Sequence, residues 1–226
     1  MMNKIILYTC IILHTITLSG QKSNSLSRFE SYLQSKDLVN IQTLDPSIKA
    51  DLKYATTDNF TKTILYDTLL NIYAHPIAAK KLIKAQKILK TINPELSLLV
   101  YDAVRPLSVQ KKMYKVVQNT KYAAYVANPS RTGLHNYGMA IDLTICDSKG
   151  NPLDMGTPFD YFGRAAGINR EEELIAQGLL TRQQVKNRLL LRKVMTDAGF
   201  LTIRGEWWHF NAVSLSEAKR SYKVIE

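Results

Sequence analysis

Four residues in two short segments have the types and spacing of a metal site with a neighbouring base. His135 and Asp142 lie seven positions apart, and Glu206 lies three positions before His209. Two imidazoles and one carboxylate form a ligand set that leaves the fourth position of a zinc ion open for water. Glu206 can act as a base toward that water. The pattern is informative because the chain has few histidines: His14, His75, His135 and His209.

The elements around these residues must bring two distant segments together. His135 stands just before a turn-like Asn-Tyr-Gly at 136–138, and Asp142 lies on a strand predicted over 139–145. Along one straight strand, side chains seven positions apart would point to opposite faces, but the intervening turn lets both converge on one ion. The last strand is predicted to hold residues 206–209, so it must deliver His209 from a distant part of the chain.

The remaining pattern predicts interspersed helices and strands. Pro76 begins a helix that ends at Asn93-Pro94, and a second helix is predicted over about 107–119. A buried strand over 96–101 delivers Arg105 just beyond its end. Thr181 to Gln184 resembles a capping box that begins a helix running to about Ala198. We expect a single α+β domain with a mainly antiparallel sheet, flanking helices and the zinc site at the sheet.

The first twenty residues differ from the rest of the chain. Lys4 precedes an uncharged, largely apolar stretch from Ile5 to Leu18, and small and polar residues follow. This order is typical of an export signal, and the stretch is short for a membrane span. We therefore expect a signal peptide at 1–20, a mature domain at 21–226 without a membrane span, and a location in the periplasm or cell envelope. The alternative is an N-terminal helix that stays in the fold.

The chain is strongly basic, with a formal net charge of +11 at pH 7. A basic exported protein is attracted to anionic surfaces, and the bacterial cell wall is polyanionic, so we expect association with the wall. Nucleic acid would fit the charge equally well, but we find no recognition module, so no nucleic-acid partner is expected.

Five segments resemble one family of enzymes, and they occur in order over about residues 40–211. They are KYATTDNFT at 53–61, YDAVRP at 101–106, GMAIDLT at 138–144, MGTPFD at 155–160 and EWWH at 206–209. They resemble zinc peptidases that act on D-amino acids in peptidoglycan, and specifically the D-alanyl-D-alanine dipeptidases of the vancomycin-resistance type. Five matches in order are far more specific than any one of them.

The resemblance implies a role for each of the residues named above. It implies one zinc ion per chain, bound by His135, Asp142 and His209, and hydrolysis of D-alanyl-D-alanine by zinc-bound water with Glu206 as acid/base. Arg105 would contact the scissile carbonyl as its oxygen becomes anionic. An arginine at a strand end can stabilise such an oxyanion in the transition state.

The resemblance also implies how the substrate is bound. Asp160 would bind the substrate ammonium, with Tyr54 lining the same pocket. A dipeptidase must recognise a free amine and a free carboxylate close together, so it needs a fixed anion near one end of its pocket, and Asp160 can be that anion. The chain departs from the family at Gly133, because a serine usually stands two positions before the first histidine. Ser130 lies five positions before it, so a hydroxyl contact would be absent or supplied by a shifted loop.

Two other functions fit the same pattern. A D,D-carboxypeptidase would trim longer peptidoglycan peptides, and a non-catalytic wall-binding module would keep a zinc-stabilised fold. Glu206 argues against the module, which has no use for a base, and Asp160 favours the dipeptidase, because an ammonium anchor limits the substrate to two residues. Simpler roles stay open for three residues: Arg105 as a strand-end salt-bridge partner, Asp160 as a loop cap and Tyr54 as a core residue.

Overall fold

The computed structural model describes residues 26–66 and 68–226, so the predicted signal peptide at 1–20 lies outside the described residues. The helices are α1 (Arg28–Gln34), α2 (Ile41–Leu44), α3 (Pro76–Ile92), α4 (Leu107–Val117), α5 (Glu171–Ala176), α6 (Arg182–Asp197) and α7 (Leu215–Ser221). The strands are β1 (Val39–Asn40), β2 (Lys49–Ala50), β3 (Tyr73–Ala74), β4 (Ser97–Asp102), β5 (Ala140–Cys146), β6 (Leu201–Thr202) and β7 (His209–Asn211). Within the described residues, none of these helices has the length and apolar character of a bilayer span.

The central sheet has the strand order β2-β4-β5-β7-β6. Strand β2 pairs with β4 in parallel, and the other neighbours are antiparallel. The parallel pair is joined by the long segment that contains α3, as a parallel connection requires a crossover. Strands β1 and β3 form a separate antiparallel pair. The predicted single α+β domain with a mainly antiparallel sheet is therefore confirmed.

Helices α3 and α6 pack together and against β4 and β5, and both begin as the sequence predicted. Pro76 is in the first turn of α3, whose N-terminus is capped by His75 Nδ1 accepting from the Ile77 amide at 3.2 Å. In α6, Thr181 Oγ1 accepts from the Gln184 amide at 3.2 Å, while Gln184 Oε1 accepts from the Thr181 amide at 2.8 Å. This reciprocal pair is the predicted capping box.

The last strand differs from its prediction, because β7 begins at His209 instead of residue 206. Both preceding indole rings are buried and lie perpendicular to each other. Trp207 Nε1 donates to Thr157 Oγ1 at 2.8 Å, whereas Trp208 packs against Phe159. The backbone bends to bury both rings, so residue pairing with β5 begins only at His209.

The register of the sheet aligns three polar residues in a row across its middle strands. Asp102 on β4 lies opposite Asp142 on β5, and Asp142 lies opposite His209 on β7. Asp102 and Asp142 are buried in a sheet whose other β4 and β5 residues are mostly apolar. Buried charges need partners, so this row predicts a polar site at this level of the sheet.

Candidate active site

A pocket of about 310 Å³ lies beside this row of residues. This volume is at the small end of the range of about 300–1,000 Å³ that is typical of ligand sites. The structure brings all seven residues singled out from the sequence into the lining of this one pocket: Tyr54, Arg105, His135, Asp142, Asp160, Glu206 and His209.

The two histidines and Asp142 form a compact group of candidate metal ligands. His135 Nε2 lies 3.3 Å from Asp142 Oδ2, and His209 Nδ1 lies 2.9 Å from Asp142 Oδ1. The two ring nitrogens are 3.3 Å apart, and the candidate ligand atoms all lie within 4.8 Å of one another. Because zinc binds nitrogen and oxygen ligands at about 2.0–2.2 Å, one ion can reach all three groups after small adjustments.

The other nitrogen of each ring has a hydrogen-bond acceptor. His135 Nδ1 lies 2.6 Å from the carbonyl oxygen of Ala103, and His209 Nε2 lies 2.7 Å from Asn211 Oδ1. These oxygens only accept, so each of these ring nitrogens carries the hydrogen and donates. The other two ring nitrogens, His135 Nε2 and His209 Nδ1, therefore face the Asp142 carboxylate. Such outer hydrogen bonds are usual for metal-binding histidines, and two imidazole nitrogens that face one carboxylate form a place for a cation, either a proton or a metal ion.

The charges of this group favour a cation at the same place. Burial opposes a positive charge on His209, but the hydrogen bond and the charge of Asp142 outweigh burial and raise the pKa of His209. Burial likewise opposes ionisation of Asp142, but His135 and His209 hold the pKa of this carboxyl well below its usual range. Asp142 is therefore a carboxylate at neutral pH, as a metal ligand must be.

Glu206 lies at the edge of this group. Its Oε2 is 3.9 Å from His209 Nδ1, and its side chain is half-buried. Burial raises the pKa of Glu206, with Asp142 adding to the increase and His209 opposing it. A raised pKa makes the carboxylate a stronger base, as a group that must accept a proton from water requires.

Arg105 supplies a fixed positive charge in the pocket. Its Nη2 and Nε donate to Asp102 Oδ2 at 2.6 and 2.9 Å, and Nη1 donates to Gln110 Oε1 at 3.2 Å. Nη2 also lies 3.7 Å from Asp142 Oδ2. Burial opposes the charge, but Asp102 and other neighbours raise the pKa of Arg105 well above its usual value. Arg105 is thus a strand-end salt-bridge partner and a pocket residue at once.

Asp160 and Tyr54 form a second polar pair in the pocket. The Tyr54 hydroxyl donates to the two carboxylate oxygens of Asp160, at 2.9 and 3.1 Å. Tyr54 is buried, and burial followed by the charge of Asp160 raises its pKa well above the usual value. Burial also raises the pKa of Asp160 well above its usual range. Burial makes ionisation of the Asp160 carboxyl unfavourable. An incoming ammonium group would offset that free-energy cost, so the pair is suited to binding a cation.

Gly133 stands at the position where the resemblance to the dipeptidases leads us to expect a serine. Gly133 lines the pocket, and a Cβ atom built on it would meet no atom within 4 Å. Ser130 is exposed. A serine would therefore fit at position 133 without displacing a neighbour.

Sequence reasoning missed several residues that hold the site together. Asp102 fixes Arg105 and also accepts from the Tyr66 hydroxyl at 2.7 Å; an acidic residue at the end of an apolar strand, three positions before an arginine, was the available signal. Asn211 holds His209, and its position two residues later on the same strand face was a signal as well. The bond from His135 to the Ala103 carbonyl had no sequence signal, because any residue has that carbonyl.

The Peptidase_M15 family, described as D-ala-D-ala dipeptidase, matches the chain over residues 34–225. The chain belongs to this family. Among its relatives, the D-alanyl-D-alanine dipeptidase of Escherichia coli is 35% identical over 175 residues, which cover 77% of this chain and 83% of the relative. The D-alanyl-D-alanine dipeptidase of Enterococcus faecium is 30% identical over 180 residues (72% and 85%), and that of Enterococcus faecalis is 28% identical over 186 residues (74% and 86%).

Membership in this dipeptidase family confirms the resemblance found in the sequence. The family consists of metallopeptidases, so the protein is an enzyme of the metallopeptidase type, and the cluster of His135, Asp142 and His209 is its candidate metal site.

Proposed function

We propose that the protein hydrolyses the dipeptide D-alanyl-D-alanine to D-alanine, with one zinc ion bound by His135, Asp142 and His209. The observation that carries this proposal is the convergence of two histidine ring nitrogens and a carboxylate in a small pocket of a dipeptidase-family chain. Two imidazoles and one carboxylate are a ligand set of catalytic zinc sites. Zinc bound there supplies a Lewis acid that lowers the pKa of water.

In this proposal, one residue of the protein transfers the proton and another stabilises the negative charge that develops during the reaction. Glu206 accepts a proton from the water that attacks the peptide carbonyl carbon. It then returns a proton to the nitrogen of the leaving D-alanine as the carbon–nitrogen bond breaks. Arg105, held by Asp102 and Gln110, stabilises the negative charge that develops on the former carbonyl oxygen.

Asp160 selects the dipeptide in this proposal. Its carboxylate binds the substrate ammonium, while Tyr54 fixes its orientation through the bond at 2.9 Å. The nitrogen at the same place in a longer peptide is an amide without charge, which repays little of the cost of ionising a buried carboxylate. The small pocket and this anion favour a dipeptidase over a D,D-carboxypeptidase, and Glu206 favours an enzyme over a wall-binding module.

One comparison of substrates tests the proposal. Purified protein with zinc is incubated with D-Ala-D-Ala, with N-acetyl-D-Ala-D-Ala and with a pentapeptide that ends in D-Ala-D-Ala, and the release of D-alanine is measured. We expect rapid cleavage of the free dipeptide and poor cleavage of the other two. Equal cleavage of all three substrates would contradict the dipeptidase proposal and favour a D,D-carboxypeptidase. No cleavage by zinc-loaded protein would favour the wall-binding module.

We also propose that the protein is exported and associates with the anionic cell wall. This part rests on the pattern of residues 1–20 and on the net charge of +11. N-terminal sequencing of the protein from the envelope fraction should find a start near residue 21. A protein that stays in the cytoplasm with its first twenty residues intact would contradict the export proposal.

A further inference from the structure

Arg188 on α6 is a buried cation that does not line the pocket. Its Nε donates to the carbonyl oxygen of Met155 at 2.6 Å, and its Nη2 donates to that of Ala165 at 2.8 Å. Its Nη1 donates to that of Gly167 at 3.4 Å. These three acceptors lie at the two ends of residues 155–167, which we call the Asp160 loop. One guanidinium group therefore ties both ends of the loop to the same helix.

The Asp160 loop forms one wall of the active-site pocket. Asp160 and Phe162 both line the pocket. Asp160 has a φ of 58°, in the left-handed region that non-glycine residues seldom adopt. Such a conformation persists only where the surrounding structure holds it. Anchors at both ends of the loop provide that restraint.

Arginine is suited to this position by its shape and charge. Its planar fork carries five donors, so one side chain can bind several carbonyl groups at fixed angles. Among the described residues, the nearest carboxylate oxygen, on Glu171, is 4.0 Å from Arg188 Nη1, whereas Arg192 binds the same carboxylate at 2.6 Å. Burial lowers the pKa of Arg188 to about 10, so it remains charged at neutral pH. The cation is thus held mainly by the backbone of the loop.

Arg188 also connects the loop to the segment that carries Glu206. Its Cζ lies 5.9 Å from the centre of a Trp207 ring, a distance typical of a cation–π contact. Trp207 Nε1 in turn donates to Thr157 Oγ1 within the loop at 2.8 Å. The guanidinium, the indole and the loop therefore form one packed unit behind the pocket.

We propose that Arg188 is a positioning residue that holds Asp160 against Tyr54 and thereby determines recognition of the substrate ammonium. This inference rests on the proposed dipeptidase function. Without the fork, the ends of the loop can separate, and the Asp160 carboxylate moves relative to the metal site. A misplacement of about 1 Å in a site can cost on the order of 10²-fold in rate.

The test compares Arg188→Lys and Arg188→Met with the matched control Arg192→Met. Arg192 lies one turn later on the same helix and binds Glu171 instead of the loop. We expect kcat/KM for D-Ala-D-Ala to fall on the order of 10²-fold in the Arg188 variants, chiefly through KM, with zinc content unchanged. In the same variants, the ratio of kcat/KM for the free dipeptide to kcat/KM for the N-acetylated dipeptide should decrease. The control should keep the wild-type values, and Arg188→Lys decides the question if Arg188→Met does not fold.

Hydrogen exchange of the amides in residues 155–167 gives a measure that does not depend on activity. Exchange in the Arg188 variants should be faster in this loop than in the control and unchanged in β4 and β5. Equal loop exchange and equal KM in Arg188→Lys and the control would overturn the inference. If the wild type does not cleave the dipeptide, the proposed function fails, while the exchange comparison still shows whether Arg188 holds the loop.

Discussion

Replacing Asp160 by asparagine removes a charge with little change in shape. Asparagine keeps an oxygen that can accept from the Tyr54 hydroxyl, which lies 2.9 and 3.1 Å from the two carboxylate oxygens. Asparagine is also one of the few residues that readily adopt a positive φ, so the value of 58° at this position adds little new strain. The substitution therefore isolates the contribution of the carboxylate charge to substrate binding.

The expected loss follows from the strength of a charged hydrogen bond. A hydrogen bond to a charged group contributes about 1.5–3 kcal/mol, and about 1.4 kcal/mol corresponds to a factor of ten in affinity. KM for D-Ala-D-Ala should therefore rise roughly 10- to 100-fold in Asp160→Asn. The ammonium group is bound in the ground state and in the transition state alike, so kcat should change little.

The assignment of Asp160 also predicts the direction in which KM changes with pH. Burial raises the pKa of Asp160 well above its usual range, so the free pocket acquires its carboxylate only as pH rises through that raised value. The dipeptide loses its ammonium above about pH 8. KM of the wild type should fall as pH rises through the raised pKa of Asp160 and increase again once the dipeptide loses its ammonium. In Asp160→Asn, KM should no longer fall as pH rises on the acidic side.

The assay measures initial rates of D-alanine release across this pH range for wild type and Asp160→Asn, with free and N-acetylated dipeptide. Zinc content is measured in parallel and should be equal, because Asp160 lies outside the metal cluster. The difference in KM between the free and the N-acetylated dipeptide should be smaller in the variant than in the wild type. An unchanged KM for the free dipeptide would refute the assignment of Asp160 as the ammonium site.

Three further substitutions test other parts of the pocket. Glu206→Gln should keep zinc and the fold but lose about 10²–10⁴-fold in kcat, because it removes the acid/base; near-normal turnover would remove Glu206 from the mechanism. Arg105→Ala should lower kcat on the order of 10²–10³-fold through loss of oxyanion stabilisation, whereas a rise in KM without a fall in kcat would mean that Arg105 only binds substrate. Gly133→Ser should lower KM about fivefold, because the open space at this position admits a hydroxyl whose hydrogen bond contributes about 1 kcal/mol. An increased KM in the folded variant would show that the pocket needs the glycine.

The sequence predicted the parts of this protein that depend on local pattern. Pro76 and the Thr181 capping box determine where α3 and α6 begin, and both depend only on neighbouring residues. The candidate metal cluster could be predicted because histidine is rare in the chain and because His135 and Asp142 are separated by a turn. The approach of His209 to Asp142 could be predicted from chemistry, but its cause is the register of β5 and β7.

The remaining features depend on tertiary contacts. The start of β7 was predicted too early because two large buried rings bend the backbone before His209. Arg188 reads like any charged residue of a helix, although it falls three positions after Val185 and three before Leu191 on the buried face of α6. That spacing was a signal for its burial, but its acceptors are backbone carbonyls of a distant loop, which no side-chain pattern identifies.

A titration of metal-free protein with zinc tests the central claim most directly. Protein stripped by a chelator is titrated with zinc while the release of D-alanine from D-Ala-D-Ala is measured, beside His209→Ala treated in the same way. The proposal predicts no activity without metal, full recovery at one zinc per chain, and neither tight zinc binding nor recovery in His209→Ala. Full activity of the stripped protein, or undiminished tight zinc binding by His209→Ala, would contradict the assignment of this metal centre.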